Sequence, residues 1–193
     1  MSGYTERAAR WMLCRIRPGA PRVYGQDLPK EEHAMPGFTE VRYQIWIAAP
    51  VSTVKAQFAD LRHHMAANVH PKLRFRLLDE GAGRMRYEQR VRLLGLEQRD
   101  VFERRIGAHT IVDTSVEGFN KGGSLAFGFS PVSEDGRAGT QVQITIRLPV
   151  PPLLGWLKPL LAWQVMRELR QAAGEDKRDI EGGYRPRELQ PAG

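Results

Sequence analysis

Three histidines in one short segment are the side chains of this sequence best suited to chemistry. The segment reads Asp60-Leu-Arg-His63-His64-Met-Ala-Ala-Asn68-Val-His70. Imidazole changes its charge near neutral pH and is the commonest metal ligand in proteins, so proton transfer and metal binding are both candidates. The alternative is that the histidines lie on the surface or cap a helix. Which interpretation holds depends on the elements that position them.

Other catalytic arrangements have less support. His109 and Asp113 share a strand face four residues apart, where a solvent-exposed face is favoured over a catalytic pair. No Ser/His/Asp or Cys/His arrangement follows from the spacing of the residues. The single cysteine, Cys14, excludes an intramolecular disulfide and cannot supply the cysteine pairs of a zinc ribbon or an iron–sulfur cluster. This cysteine usage favours a reducing compartment.

The composition fits one ordinary domain with short extensions. The chain has 193 residues, 41% of them hydrophobic, and a formal net charge of +7. That charge attracts polyanions, whether nucleic acid, anionic lipid or an acidic protein. No run near the N-terminus suits a signal peptide, and residues 153–166, the most apolar stretch, are interrupted by charge, glycine and proline. We therefore predict a cytoplasmic protein.

The first predicted elements are a strand and a helix that follows it directly. Apolar and polar residues alternate over residues 41–47, which is the period of a strand with one buried face. Pro50 then stands where the first turn of a helix tolerates proline, and Val54 and Phe58 are one helical turn apart. The helix is predicted to continue or restart through residues 63–68.

Six further strands are predicted before the last helix, with turn signals between them. The alternation covers residues 73–77, 84–93, 96–106, 110–116, 125–129 and 142–148. This spacing suits a meander of antiparallel strands. It also places a stripe of arginines on one face of the second and third strands, namely Arg74, Arg76, Arg84, Arg86, Arg90 and Arg92.

A long amphipathic helix closes the predicted domain. Prolines end the last strand, and one helical face then carries Ala162, Val165, Met166, Leu169, Ala172 and Ala173. The helix is predicted to end near Glu181. The domain therefore spans residues 38–181, preceded by an appendage of residues 1–37 with one amphipathic helix and followed by a polar tail of residues 182–193.

This order of elements resembles the START-like, or SRPBCC, helix-grip superfamily, which includes polyketide cyclases and Bet v 1-like proteins. Its most diagnostic local piece is the strand-to-helix entry Ile47-Ala-Ala-Pro50-Val-Ser-Thr-Val54-Lys-Ala-Gln-Phe58. The resemblance implies an α+β fold with a curved seven-stranded antiparallel sheet wrapped around the long C-terminal helix, and two short helices after the first strand. It also implies a cavity between sheet and helix.

The function that this resemblance implies is binding of a hydrophobic small molecule, such as a lipid, isoprenoid or polyketide-like compound, for transport or presentation. The inward positions predict side chains that enclose and orient the ligand: Tyr43, Phe58, Tyr87, Gln89, Phe102, Phe127, Ile144, Trp163 and Met166. Gln98 and Asp100 share inward faces as well, although for Asp100 we expect exposure near a strand end or a bulge.

Two other functions remain open from the sequence. One is a cyclase or aromatase, in which a Tyr, His or Asp in the cavity moves protons. The other is an interaction module that docks a partner on the arginine stripe, on the face opposite the cavity. The stripe has no stacking aromatics, so an acidic protein or an anionic membrane is favoured over nucleic acid. Residues 153–163 are predicted to form a cavity mouth that contacts membranes or partners, with a cap of the core as the alternative.

A metal site is not predicted. Rieske-type oxygenase domains belong to the same superfamily, and their iron site resembles Asp-x2-His-x4-His with a carboxylate on the last helix. Asp60 and His63 fit the first half of that pattern, and Glu175-Asp176 stand where the carboxylate is expected. Asn68 occupies the position of the second histidine, however, and the spacing of His64 and His70 differs from the pattern. We therefore expect neither a metal nor another cofactor.

Overall fold

The computed structural model describes residues 37–93 and 95–186. The predicted N-terminal helix, Cys14 and residues 187–193 lie outside these ranges. In chain order the elements are β1 (Phe38–Ile47), α1 (Val51–Ala59), α2 (Leu61–Ala66), β2 (Leu73–Gly81), β3 (Arg84–Leu93), β4 (Leu96–Ile106), β5 (Thr110–Gly118), β6 (Ser124–Glu134), β7 (Arg137–Pro149), a 3₁₀ helix (Pro152–Leu157) and α3 (Lys158–Glu181). The predicted α+β order is confirmed.

The seven strands form one antiparallel sheet in the order β1-β7-β6-β5-β4-β3-β2. From β2 to β7, strands that follow each other in sequence are also neighbours in space. β1 pairs with β7 along its whole length, from Phe38 opposite Pro149 to Ile47 opposite Thr140. The two edge strands are therefore β1 and β2, and helices α1 and α2 form the connection between them.

The two faces of the sheet differ as the alternation predicts. On β3, Met85 and Tyr87 are buried on the inner face, whereas Arg84 and Arg90 are exposed on the outer face. Because a slip of one residue would turn every side chain to the opposite face, this contrast fixes the register of the strand. The inner face is the one that meets α3.

Most of the core lies between α3 and the inner face of the sheet. Val165, Leu169 and Ala173 of the helix belong to this cluster. Phe58 of α1 covers it, with its ring 5.2 Å from that of Phe127 in an edge-to-face arrangement. Burying a side chain of this size contributes about 1.5 to 3 kcal/mol, so these contacts fix α1 and α3 against the sheet.

Aspartate and proline determine where two helices begin. Asp60 ends α1, and its side chain accepts a hydrogen bond from the backbone N of His63, 2.9 Å away, which caps α2. The helix therefore restarts, which was one of the two predicted alternatives. Pro159 lies in the first turn of α3, where the missing N–H has no helical partner to lose, so α3 begins at Lys158.

Edge strand β2 contains an irregularity. Its register with β3 shifts between Leu77 and Asp79. Before the shift, Leu73 and Phe75 are half-buried on the inner face, and Arg74 and Arg76 are exposed on the outer face. A shift of this kind bends a strand and ends regular pairing.

Candidate functional site

A cavity of ≈ 830 Å³ lies between the inner face of the sheet and α3. Most of its wall is apolar and comes from the strands and the helix: Leu73, Val91, Phe102, Leu125, Ile146, Leu148, Val165, Leu169 and Ala172. Gly95 of the β3–β4 turn, Asn120 of the β5–β6 turn and Gln164 in the first half of α3 also line the cavity. Small-molecule sites in proteins have volumes of about 300 to 1,000 Å³ and walls of this kind.

A few polar groups line this apolar wall, and Asp100 orients two of them. The Asp100 carboxylate accepts hydrogen bonds from Ser115 Oγ at 3.2 Å and from Asn120 Nδ2 at 2.8 Å. The backbone N of Asn120 donates to it as well, at 2.6 Å. The expectation that Asp100 is exposed was wrong, because these three donors satisfy the carboxylate in a buried position. Of the two expected settings, a strand end or a bulge, the structure has the irregularity, since the β4–β5 register shifts between Val101 and Phe102.

Gly118 makes this arrangement sterically feasible. Its φ is +110°, and a Cβ at this position would lie 2.1 Å from the backbone O of Arg99. A side chain would clash at that distance, so only glycine allows β5 to approach β4 beside Asp100. A glycine at the end of a strand pattern is a sequence signal for such a close approach, although it does not reveal which residue lies opposite.

The structure places two of the nine predicted ligand-binding residues in the cavity wall, Gln89 and Phe102. Phe58, Phe127 and Ile144 are buried in the core, and Tyr43 and Met166 are partly buried against it. Trp163 is 59% exposed and precedes Gln164, which lines the cavity. The alternation of apolar and polar residues identifies the inner face of the sheet. It does not identify which inner residues contact α3 and which line the cavity. For that reason Ile146, Leu148 and Leu125, which line the cavity, were missed.

Tyr87, the ninth predicted residue, belongs to a buried polar group instead. Arg104 donates from Nε and Nη2 to the two oxygens of Asp113, at 2.7 and 2.8 Å, and from Nη1 to the backbone O of Phe58 at 2.8 Å. Burial, followed by the charge of Asp113, raises the pKa of Tyr87 well above its ordinary value. The expected exposure of Asp113 was wrong, because its cross-strand partner is Arg104.

The histidine segment separates into two parts. His63 Nε2 lies 2.9 Å from Asp179 Oδ2, and the His63 ring contacts that of Tyr184 with centroids 4.7 Å apart. His64 and His70 both meet Asp176 instead, with Nε2–Oδ1 distances of 3.1 and 3.2 Å. Asn68 is exposed and has a φ of 50° at the end of α2. The structure thus joins the two histidines whose spacing departed from the expected pattern.

Burial and hydrogen bonding act in opposite directions on the pKa values in this group. Burial alone would raise the pKa of Asp176, but its hydrogen bonds with His64 and His70 outweigh burial and lower that pKa to about 2. Burial alone would lower the pKa of His70, yet Asp176 and then Glu175 outweigh it, so the pKa of His70 is raised. The group therefore favours a negative carboxylate beside positive charge.

Comparison with known proteins identifies the fold. Neither a family model nor a curated protein matches this sequence. One similar solved structure is a Thermus thermophilus protein, with a TM-score of 0.62 and 17% identity over 74% of this chain and 97% of that one. A second is the Zhui aromatase/cyclase of Streptomyces sp. R1128, with a TM-score of 0.57 and 20% identity over 76% of this chain and 99% of that one. A third is a START superfamily protein of Mycobacterium smegmatis, with a TM-score of 0.60 and 16% identity over 75% of this chain and 98% of that one. This chain has the START-like helix-grip fold. At such identities the similarity establishes the fold alone.

Five large apolar side chains are exposed in three segments of this helix-grip domain, and three of them are next in sequence to residues that line the cavity. Leu96 begins β4 and Phe119 lies in the β5–β6 turn, and each is next in sequence to a residue that lines the cavity. Leu153 and Trp156 of the 3₁₀ helix are 90% and 75% exposed, so these two side chains do not cap the core. We call these four residues and Trp163 the apolar rim. Within the described parts of the chain, no helix is both long and apolar enough to cross a membrane.

The arginine stripe lies on the outer face of the helix-grip sheet, and one carboxylate organises its centre. Glu88 accepts hydrogen bonds from Arg99 Nε at 2.7 Å, Arg90 Nε at 3.0 Å and Arg76 Nη2 at 3.0 Å. These three hydrogen bonds, led by that of Arg99, lower the pKa of Glu88 to about 2. Glu88 carries one negative charge and contacts three guanidinium groups, so it orders the centre of the stripe and leaves it with a net positive charge.

Proposed function

We propose that this protein binds an apolar small molecule in the cavity between the sheet and α3. The observation that carries the proposal is the ≈ 830 Å³ cavity with its mainly apolar wall. Removing apolar surface from water contributes about 25 cal/mol per Å², so an occupant such as a lipid, isoprenoid or polyketide-like ring system gains affinity from enclosure alone.

The polar groups in the cavity wall indicate which polar atoms the ligand has. The side-chain amides of Gln89 and Gln164 line the cavity, and neither makes a hydrogen bond to another side chain or backbone within the described residues. Each amide offers both a donor and an acceptor. We infer that the ligand has hydroxyl or carbonyl oxygens that these amides orient, in addition to its apolar body.

The apolar rim supports uptake and delivery of the ligand at a membrane surface. Large exposed apolar side chains beside a cavity mouth gain free energy at a lipid interface, and tryptophan favours the headgroup region. Lys158 and Arg167 are close in sequence to Trp156 and Trp163. Cations at this position favour an anionic membrane over a neutral one.

An enzymatic function of the cyclase or aromatase kind has less support. It requires a carboxylate or histidine in the cavity that is free of structural partners. Of the carboxylates lining the cavity, Glu168 pairs with Lys72 at 3.0 Å, Glu175 with His70 at 3.0 Å and Glu97 with Arg90 at 3.6 Å. Among the described residues that line it, none is a histidine. A cavity of this size also argues against the interaction module, for which a filled interior is expected.

Filling the cavity tests the proposal. Ala172 lines the cavity from α3, so Ala172→Trp places an indole ring in the ligand volume without removing any existing contact. We expect affinity for a fluorescent fatty-acid probe to fall by at least about tenfold. The matched control is Ala66→Trp, which makes the same change at an exposed position of α2 and should leave probe affinity unchanged.

Native mass spectrometry of the wild-type protein provides the second measurement. A co-purifying apolar molecule that Ala172→Trp displaces and Ala66→Trp retains would support the proposal. Equal probe affinity in wild type and Ala172→Trp, with circular dichroism showing that both are folded, would refute binding at this cavity.

A further inference from the structure

Three buried side chains from three segments meet beside the cavity but play no part in ligand enclosure. They are His64 of α2, His70 of the segment before β2 and Asp176 of α3. One ligand atom from each lies within 4.8 Å of the other two. The distances from the two Nε2 atoms to Asp176 Oδ1 are 3.1 and 3.2 Å. Neighbouring ligands of one ion are about 3.0 to 3.4 Å apart when the metal–ligand bonds are about 2.1 Å long.

Both imidazoles are tethered through the nitrogen that points away from this group. His64 Nδ1 is 2.8 Å from the backbone O of Asp60, which can only accept, so this nitrogen carries a proton and donates. His70 Nδ1 is 3.0 Å from Glu175 Oε2 and donates in the same way. Metal-binding histidines are held by this kind of tether, because it fixes the tautomer whose Nε2 lone pair is free.

A single proton between the two rings does not satisfy all three groups. If His70 donates from both nitrogens, to Glu175 and to Asp176, a neutral His64 still directs its Nε2 lone pair at Asp176 Oδ1, 3.1 Å away, because its Nδ1 donates to the backbone O of Asp60. Protonating both rings would place two imidazolium cations in a stacked pair, with centroids 5.1 Å apart and planes at 30°, in a buried site. Like charges at that distance repel strongly away from water. One divalent cation supplies the same positive charge and binds all three atoms.

The carboxylate is also held in place for this role. Gln57 Nε2 donates to Asp176 Oδ1 at 3.2 Å and to Asp179 Oδ2 at 3.0 Å. The other end of this amide, Gln57 Oε1, is buried and has no hydrogen-bond partner among the described residues. A water molecule bound to a metal would provide a donor for such an acceptor.

We propose that His64, His70 and Asp176 bind a first-row divalent transition metal. Two imidazoles and one carboxylate suit Fe(II), Co(II) or Zn(II), whereas Mg²⁺ and Ca²⁺ require sites made of oxygen ligands. Three protein ligands leave coordination positions for water or for a small ligand. Glu175, which tethers His70, also lines the cavity, so the metal lies next to the bound small molecule without depending on it.

Cobalt(II) binding by the full-length protein tests this site. After dialysis against a chelator and then against metal-free buffer, titration with Co(II) should give about one bound equivalent and visible d–d absorption. His70→Ala and Asp176→Ala should lose both signals. The matched control is His109→Ala, which removes an exposed histidine in the β4–β5 turn and should bind cobalt as the wild type does.

The wild-type protein gives a result that does not depend on the folding of any variant. Nitrogen-15 NMR of its histidines should show a protonated Nδ1 on both His64 and His70, and the Nε2 signals should disappear on addition of Co(II). Binding of less than about 0.1 equivalent by folded wild type, or full binding by His70→Ala, would overturn the proposal. So would histidine spectra showing both rings protonated and unchanged by cobalt.

Discussion

At the scale of single residues, the buried ion pair of Arg104 and Asp113 was not predicted from the sequence. Asp113 follows the alternation of β5 onto the inner face, where a lone carboxylate is costly, so exposure was the reasonable expectation. Its burial becomes understandable only with the register of β4 and β5, which sets Arg104 directly opposite. The two-pronged contact satisfies both carboxylate oxygens, and Asp113 together with Tyr87 outweighs the effect of burial and raises the pKa of Arg104.

Removing one member of this pair should destabilise the domain strongly. Asp113→Ala leaves the Arg104 guanidinium buried without its anion, and we expect the free energy of unfolding to fall by about 3 to 5 kcal/mol. Urea denaturation followed by circular dichroism measures this loss. Asp79→Ala, at an exposed position of β2, serves as the control and should change stability by less than about 0.5 kcal/mol. A loss below about 1 kcal/mol in Asp113→Ala would contradict a structural role for the pair.

At the scale of elements, the alternation of apolar and polar residues and the positions of proline and glycine predicted the strands and helices well. Each strand has a buried and a solvated face, so its period of two is visible in the sequence, and prolines mark the start of α1 and of α3. The cavity was harder to locate. Phe127 and Leu125 share the same inner face of β6, yet only Leu125 lines the cavity. Which of them contacts the helix depends on the path of α3 across the sheet, and that is a tertiary property without a local signal.

The histidine group shows the same limit. Sequence spacing describes ligands well when they share one helix, but His64 and His70 come from a helix and the segment after it, and Asp176 from a helix more than a hundred residues later. The turn after α2, with Asn68 in the left-handed region, brings His70 back to His64. Residue spacing alone does not reveal such a turn.

The 3₁₀ helix before α3 gives a prediction at this scale. Leu153→Ser with Trp156→Ser removes the two most exposed members of the apolar rim, so stability should change by less than about 1 kcal/mol. Association with vesicles containing anionic lipid, measured by co-sedimentation, should fall severalfold. The control Leu78→Ser, at a partly exposed site of β2 away from the rim, should associate normally. Normal association of the double variant, or a large loss of stability, would argue against membrane contact by this element.

At the scale of the whole molecule, α3 packs against the inner face of the sheet and also forms part of the cavity wall. Both hydrophobic clusters, the cavity and the three histidine-group ligands lie within residues 37–186. Part of the inner face therefore gains burial only when a ligand occupies the cavity. Binding should then raise the melting temperature by mass action.

This arrangement predicts that a fragment of residues 37–186 is an independent folding unit. Because it retains every contact described above, its melting temperature should lie within about 3 °C of that of the full chain, as measured by calorimetry. It should also bind the fatty-acid probe with unchanged stoichiometry. A fragment that unfolds without cooperativity would show that the appendage is part of the domain.

Two arginines of the stripe lie on β2, an edge strand of the sheet, where they have a second role. An edge strand carries unpaired backbone groups on one side, and a long, flat, apolar edge would recruit a strand from another molecule. On β2 the exposed Arg74 and Arg76 are followed by a register shift and then by the exposed acids Asp79 and Glu80. Charge and a local bend together oppose growth of the sheet beyond this strand. We therefore expect Arg74 and Arg76, with this bend, to oppose self-association at high concentration, independently of any partner that the stripe binds.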